Sequence, residues 1–423
     1  MGRKILESFK SVLIVLLAAA ILVLTVLALP VKTLQQTPWL ARLVKPFASF
    51  VGMSEAELTY TAAGTAALPG AAQPLLISVM QETGRQSFQY DFSALDGAFE
   101  QYGSALGQAL DSADVPEPST REEFLRVLGG TGVVFCYPLK LSPALAAAWL
   151  GVQAPQLQTP AQWYLLAPEG ETVRLYLMGE EVFSVATRLP AQQLETLMQS
   201  TVPDGSFFVF EDTSGKYTRL DGLSLIQLRM PQILTASAQN PCEARFISSM
   251  AALLGFNPYG DARFVDSEGT TSFSEPGSTL SVTAQGLVTL RCDAAQPRYE
   301  AASSAQDARV ETARALLSQI AAQTADARLY LCGYEERGDE TVCSFSYYLS
   351  GARVSQNGKT AEVRFTGNTV TQVQIRLRSS TLTNQSVYLL PPAQAAAIVR
   401  RGGALEVLYA DTGEAELQVN WKA

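Results

Sequence analysis

The side chains able to do covalent or proton-transfer chemistry here are few, and their spacing limits what they can do. The chain holds five cysteines, Cys136, Cys242, Cys292, Cys332 and Cys343, and no histidine. None of the thiols forms a C-x-x-C pair, so neither a zinc site nor a thioredoxin-like redox motif is supported. Cys332 and Cys343 lie at equal distances from the centre of a turn read over Glu335 to Glu340. If the strands pair in that register the two side chains face each other and could form a disulfide. The same two residues also read as small buried hydrophobes, and both readings stay open. An odd count leaves at least one thiol free. Without histidine there is no Ser-His or Cys-His nucleophile pair, no HExxH zinc site and no side chain that ordinarily titrates near neutrality.

The remaining candidates are carboxylates and one phosphate-loop fragment. Glu180-Glu181 and Glu335-Glu336 are adjacent acids. On a strand adjacent side chains point to opposite faces, so neither makes a local general acid/base pair. Gly358-Lys359-Thr360 matches the end of a phosphate-binding loop, but the position that needs the first glycine is Arg353. The cradle is therefore missing, and Asn357-Gly358 reads as a hairpin turn. No G-x-S-x-G elbow and no Ser-x-x-Lys occurs. The chain is accordingly expected not to be an enzyme, and no cofactor or metal is expected.

The elements around these residues start with an apolar run, Ser11 to Leu29, that holds no charge. At ~1.5 Å per residue it reaches about 28 Å, close to the ~30 Å hydrocarbon core of a bilayer. It is longer than the ~7–15 residues of a secretory h-region, and the cleavage site it offers is poorly formed. An uncleaved transmembrane helix is the expectation. Lys32, Arg42 and Lys45 beyond it match Arg3, Lys4 and Lys10 before it in number, but the α-amine and the tight clustering before the run favour a ten-residue cytoplasmic tail with everything after the run outside. Ser11, Ala18 and Thr25 recur at intervals of seven. Small or hydroxylated residues at that spacing line one side of a membrane helix and allow a partner helix to pack closely. Chance alignment of common residues is the other reading. Trp39, Leu40, Leu43, Val44 and Phe47 then fall at helical spacing, as a headgroup-layer helix or as a stalk.

Composition bounds the rest. The chain has 423 residues, 47% of them apolar, with 40 Asp plus Glu against 31 Lys plus Arg. Such a chain fills real cores, and with no basic stripe carrying aromatics it is not expected to bind nucleic acid. The hydrophobic periodicity predicts α+β architecture, with antiparallel sheets each packed with helices. A helix carrying Leu95, Ala98, Phe99, Tyr102, Leu106 and Leu110 precedes strands over Trp163 to Ala186 and Phe207 to Gln227. The pattern restarts at Asn240-Pro241-Cys242-Glu243, a helix start, and a second helix follows with Val310, Ala313, Leu316, Leu317 and Ile320 on one face. Helix-then-sheet order thus occurs twice. The expected domains are 30–235 and 236–423, the latter with a possible split near 295–305.

These features resemble the YycH/YycI group of membrane-anchored regulators of WalK-type sensor histidine kinases. The likeness rests on the opening LESFKSVLIVLLAAAILVLTVLA, on Leu253-Leu254-Gly255-Phe256-Asn257 and Gln285-Gly286-Leu287-Val288, and on FSYYLSGARV over Phe345 to Val354. LLPPAQA near Leu389 to Ala395, LEVLYAD and the terminal Trp421 also fit. It covers roughly 1–30 and 240–423. The resemblance implies a single-pass protein of the cell membrane, N-terminus cytoplasmic and C-terminal domain extracytoplasmic. It further implies a non-enzymatic role: contact with a sensor histidine kinase and related anchored regulators, as a homo- or hetero-oligomer, adjusting two-component signalling tied to cell-wall homeostasis. The alternatives are an anchored binding module for a wall polymer or small ligand, and an anchored enzyme working by carboxylates alone.

Overall fold

The computed structural model describes residues 73–258, 262–321 and 326–422. The apolar run Ser11 to Leu29, and with it Ser11, Ala18 and Thr25, lies outside them. Among the described residues no helix is long and apolar enough to cross a membrane.

The chain builds its first sheet from β1 (Leu76–Gln81), β2 (Gly84–Phe88), β3 (Glu117–Ser119), β4 (Gly132–Leu141), β5 (Ala161–Glu169), β6 (Thr172–Met178) and β7 (Val182–Pro190). They lie in the order β2-β1-β4-β5-β6-β7-β3, every neighbour antiparallel. The central strands read as continuous apolar runs because both faces are covered. Val133, Phe135, Tyr164, Leu166 and Leu175 point to one core, while Val134, Leu165, Tyr176 and Met178 alternate with them into another. The second face is covered by α2 (Arg121–Leu128) through Phe124, Val127 and Leu128, together with Phe208.

On the first face lie α1 (Phe92–Asp111), α3 (Pro143–Trp149) and α4 (Ala191–Met198). α1 starts where Asp91 accepts hydrogen bonds from the backbone amides of Ser93 and Ala94 at 2.9 and 3.1 Å, satisfying N–H groups the helix leaves open. Its Leu95, Ala98, Tyr102, Leu106 and Leu110 are buried at helical spacing.

The second sheet has thirteen strands. After the short pair β8 (Phe207–Phe208) and β9 (Leu225–Ile226) come β10 (Leu234–Gln239), β11 (Arg263–Val265), β12 (Thr271–Glu275), β13 (Ser278–Val282) and β14 (Leu287–Cys292). There follow β15 (Ala327–Arg337), β16 (Glu340–Leu349), β17 (Ala352–Gln356), β18 (Ala361–Thr366), β19 (Thr369–Arg376), β20 (Ser379–Ser386), β21 (Glu406–Asp411) and β22 (Glu416–Lys422). The helices are α5 (Ala244–Leu253), α6 (Gln306–Ile320) and α7 (Pro392–Ile398).

This sheet forks at β16. Its first half, Glu340 to Phe345, pairs with β18 and leads through β19 to β14, β13, β12 and β11. Its last residues, Tyr348 and Leu349, pair with β17, which runs parallel to β21 and leads on to β22, β10 and β20. That second arm curls back on β15: the Asp326 amide donates to the Ser380 carbonyl at 3.0 Å, and its carboxylate accepts from the Leu382 amide at 2.8 Å.

All described residues fall in one compact unit, and one continuous core joins both sheets, from Ile77 and Leu106 to Val310, Tyr347 and Val373. The sheets divide between Pro190 and Leu234, the two-residue pair β8-β9 excepted. The split expected near 295–305 is absent as a sheet boundary, because β14 pairs directly with β19 across it.

Candidate functional site

A cleft of about 450 Å³ lies between the two sheets. Cys136 to Pro138 of β4, Gln162 and Trp163 of β5 and Met178 of β6 form one wall. The opposite wall comes from Tyr348, Gly351 and Arg353 around the β16–β17 turn and from Ala404 to Val407 at β21. Asp221 and Leu223 to Leu225 line a third side.

Tyr90 ties the walls together. Its backbone is left-handed, φ +61°, a conformation that costs a non-glycine residue of order 1–3 kcal/mol unless its surroundings hold it there. The holding contacts are visible. The Ser350 hydroxyl donates to the Tyr90 carbonyl at 3.0 Å, and the Val407 amide donates to the Tyr90 hydroxyl at 3.1 Å. Gly351, φ +84°, sits so close that a Cβ there would lie 3.0 Å from the Tyr90 nitrogen. Burial pushes the Tyr90 hydroxyl up from its ordinary pKa, so it stays protonated.

The polar groups of the cleft are mostly engaged. Asp221 accepts from the Leu223 amide at 2.8 Å and pairs with Arg121 at 3.5 Å, and Glu406 pairs with Lys422 at 3.1 Å. Two groups differ. Arg353 is exposed and has no ion-pair partner among the described residues, and the buried Ser224 hydroxyl has no hydrogen-bond partner there. Trp163 meets Phe208 edge to face at 6.0 Å. Burial raises the Cys136 thiol, which keeps it from the thiolate form that attacks electrophiles. The arrangement offers an aromatic face, aliphatic walls and one unneutralised cation, which suits recognition of a ligand or side chain.

A second cleft, about 330 Å³, lies where the turns ending β13, β17 and β21 meet. Its centre is the buried pair Arg378–Asp411, whose Nε–Oδ2 and Nη2–Oδ1 bonds are both 3.0 Å, with Gln356 donating to Asp411 at 3.2 Å.

Of the two readings left open for Cys332 and Cys343, the register does not support the facing pair. The hairpin turns at Gly338-Asp339, with Gly338 at φ +63°, the residue order of a type II′ turn. Cys332 falls in a bulge between Leu331 and Gly333, and Cys343 faces Tyr334. Both thiols are free, as are Cys136, Cys242 and Cys292. Cys332 instead touches the Ser346 hydroxyl at 3.3 Å. Thiol titration of the unreduced chain in denaturant is therefore expected to count five groups, and a count of three would overturn this. Burial pushes the thiols up to about 11 at Cys242 and about 12 at Cys343. Each favours the folded state fully below 9.0, the ordinary thiol value. That contribution is lost as pH climbs from there through the raised values, because only the unfolded chain ionises first.

The other candidate residues stay apart. Glu335 pairs with Arg337 and Glu336 with Arg309, at 2.7 and 2.8 Å. Lys140 holds Glu180 at 2.7 Å and draws its carboxyl below the usual range. Lys359 pairs with Glu362. Asn357-Gly358 lies in a bend and makes no hairpin: β17 and β18, which it joins, both pair with β16 and not with each other. Sequence reading missed Tyr90 and the Arg378–Asp411 pair; the Asp411-Thr412-Gly413 turn was the one local signal for the latter.

No protein-family model, no curated protein and no solved structure matches the chain.

Proposed function

We propose that the protein is a membrane-anchored, non-catalytic regulator of a WalK-type sensor histidine kinase, acting in two-component signalling tied to cell-wall homeostasis. The observation that carries this reading is the uncharged run Ser11 to Leu29 ahead of a folded α+β unit, together with the likeness to the YycH/YycI group. In it, the N-terminal tail is cytoplasmic, the α+β part extracytoplasmic, and the Ser11, Ala18 and Thr25 side of the helix meets the kinase. A regulator of this kind needs only to bind two kinase states unequally. A shift from 1:99 to 99:1 requires about 5.5 kcal/mol of difference.

The test is crosslinking in native membranes from a photoreactive residue next to Ala18, followed by mass spectrometry. A sensor kinase is expected among the products, and its yield is expected to collapse when Ser11, Ala18 and Thr25 are all replaced by Leu. Recovery of no kinase overturns the reading; full yield with the triple replacement removes those three residues from it.

The cleft supports a second reading, an anchored binding module. A pocket of about 450 Å³ with Trp163 on one wall and the unneutralised Arg353 on the other has the size and chemistry of a small-ligand site. Titration of a wall-polymer fragment against intrinsic fluorescence, with Trp163→Phe as control, separates the two.

A further inference from the structure

A surface beside the first cleft, whose rim it shares at Asp221 and Leu405, combines positive charge with exposed apolar side chains. Residues 217–221 and 402–403 run side by side. Leu220 bridges Gly403, the Gly402 amide donates to the Arg219 carbonyl at 2.7 Å, and the Asp221 amide donates to the Gly403 carbonyl at 2.9 Å. Beneath them Tyr217, Leu220, Val399 and Leu405 form a small core of their own with Ala395 and Ala396 of α7. The backbone here is held, and what it presents outward is therefore defined.

Outward it presents Lys216, Arg219, Arg400 and Arg401, all exposed, around Ile398, which is 65% exposed. Arg219 is anchored across the end of α7 by donating to the Ala397 carbonyl at 2.6 Å. From Val387 to Leu405 the sequence has two arginines and no acid, in a chain of net charge −9. The acids on the facing segments are already engaged: Asp212 caps its own turn through Ser214 and Tyr217, and Asp221 pairs with Arg121. The same stretch carries Tyr388, 88% exposed, and Leu390, 47% exposed, just before α7. Arginines flanking a protruding aliphatic residue, with an exposed tyrosine nearby, are the composition that settles at a headgroup layer. An acidic protein surface would be met by the charges alone and would leave Ile398 and Tyr388 unexplained.

We infer that this surface docks the folded unit onto an anionic bilayer. The inference rests on the proposed anchor, which holds the unit within reach of the membrane. Docking would set one orientation of the unit for its encounter with a kinase in the same membrane.

The test places the full chain in nanodiscs of phosphatidylcholine, with and without phosphatidylglycerol, and follows amide hydrogen exchange. Peptides covering 387–404 are expected to exchange slower by about tenfold in the anionic discs only, and to lose that protection in high salt or on R400E/R401E. Equal exchange in both lipids overturns the proposal, as does protection that appears only with an added acidic protein. Extraction of the chain from membranes by alkaline carbonate would remove the anchor instead. The docking surface is then read separately, by flotation of the same chain with anionic vesicles, where failure to float overturns it.

Discussion

Replacing Arg378 with alanine is expected to lower the unfolding free energy by about 3–5 kcal/mol, the cost of leaving a buried charge without its partner. The Asp411 side chain is 4% exposed and that of Arg378 11%. The carboxylate accepts both guanidinium bonds, a bond from Gln356 and the Gly413 amide at 3.0 Å. Position makes the loss worse. Arg378 follows β19, on one arm of the forked sheet, and Asp411 ends β21, on the other, so the pair closes the fork. Against a typical total of about 5–15 kcal/mol, the loss should lower the urea midpoint steeply without changing the slope. R378M/D411L, which removes both charges, is expected to be more stable than R378A, since no orphaned carboxylate remains. A drop below about 1 kcal/mol for R378A would show that Asp411 is solvated in the native state.

Cutting the chain between its sheets should have a larger effect still. Residues 67–235 and 236–423 expressed separately are each expected to show no cooperative thermal transition, while 67–423 melts once, with equal calorimetric and van't Hoff enthalpies. The two sheets share a core. Phe92 of α1 stacks on Tyr330 of β15 at 6.1 Å, and Arg328 grips Asp96 with two bonds of 2.7 Å while lying 4.1 Å over the Phe92 ring. Trp149 of α3 donates to Glu311 of α6, and Leu145 and Ala146 lie in one cluster with Val310 and Leu317. Separation would uncover each of these side chains, at about 1.5–3 kcal/mol for a large one. Two resolved melting peaks, or a native near-ultraviolet signature from either half, would show that the halves fold alone.

That shared core marks the limit of what the sequence shows. Periodicity located the long elements well: the stripe Leu95 to Leu110 is α1, and the face Val310, Ala313, Leu316, Leu317 and Ile320 is buried on α6. Caps were legible to within a few residues. α5 begins at Ala244, beyond the start read at Asn240, because Asn240 spends its side chain on the Cys242 and Ala284 backbones. Of the strands read over Phe207 to Gln227 only the two-residue pair β8-β9 forms, with Phe207 and Phe208 packing on Tyr217 and Trp163; most of the rest is turns. The Pro118 edge strand β3 and the polar β20 carry too little apolar alternation to be seen. Partner choice was invisible: nothing local says that β17 lies parallel to β21, or that a bulge at Cys332 turns it away from Cys343. For the same reason the cleft could not be foreseen, since Tyr90, Trp163 and Arg353 meet only through those pairings.

The bond from the Val407 amide to the Tyr90 hydroxyl spans 317 positions of chain. A ribosome adding ~5–20 residues per second delivers Val407 roughly 15–60 s after Tyr90. Through that interval the strands of the first sheet lack the partners that complete their shared core, and their aromatic side chains stay open to other nascent chains. Non-local closures of this kind are also slow once the chain is complete. The first part to be born is thus the last to be finished, and the protein's yield in the cell should depend more on who shields it during synthesis than on how stable it becomes afterwards.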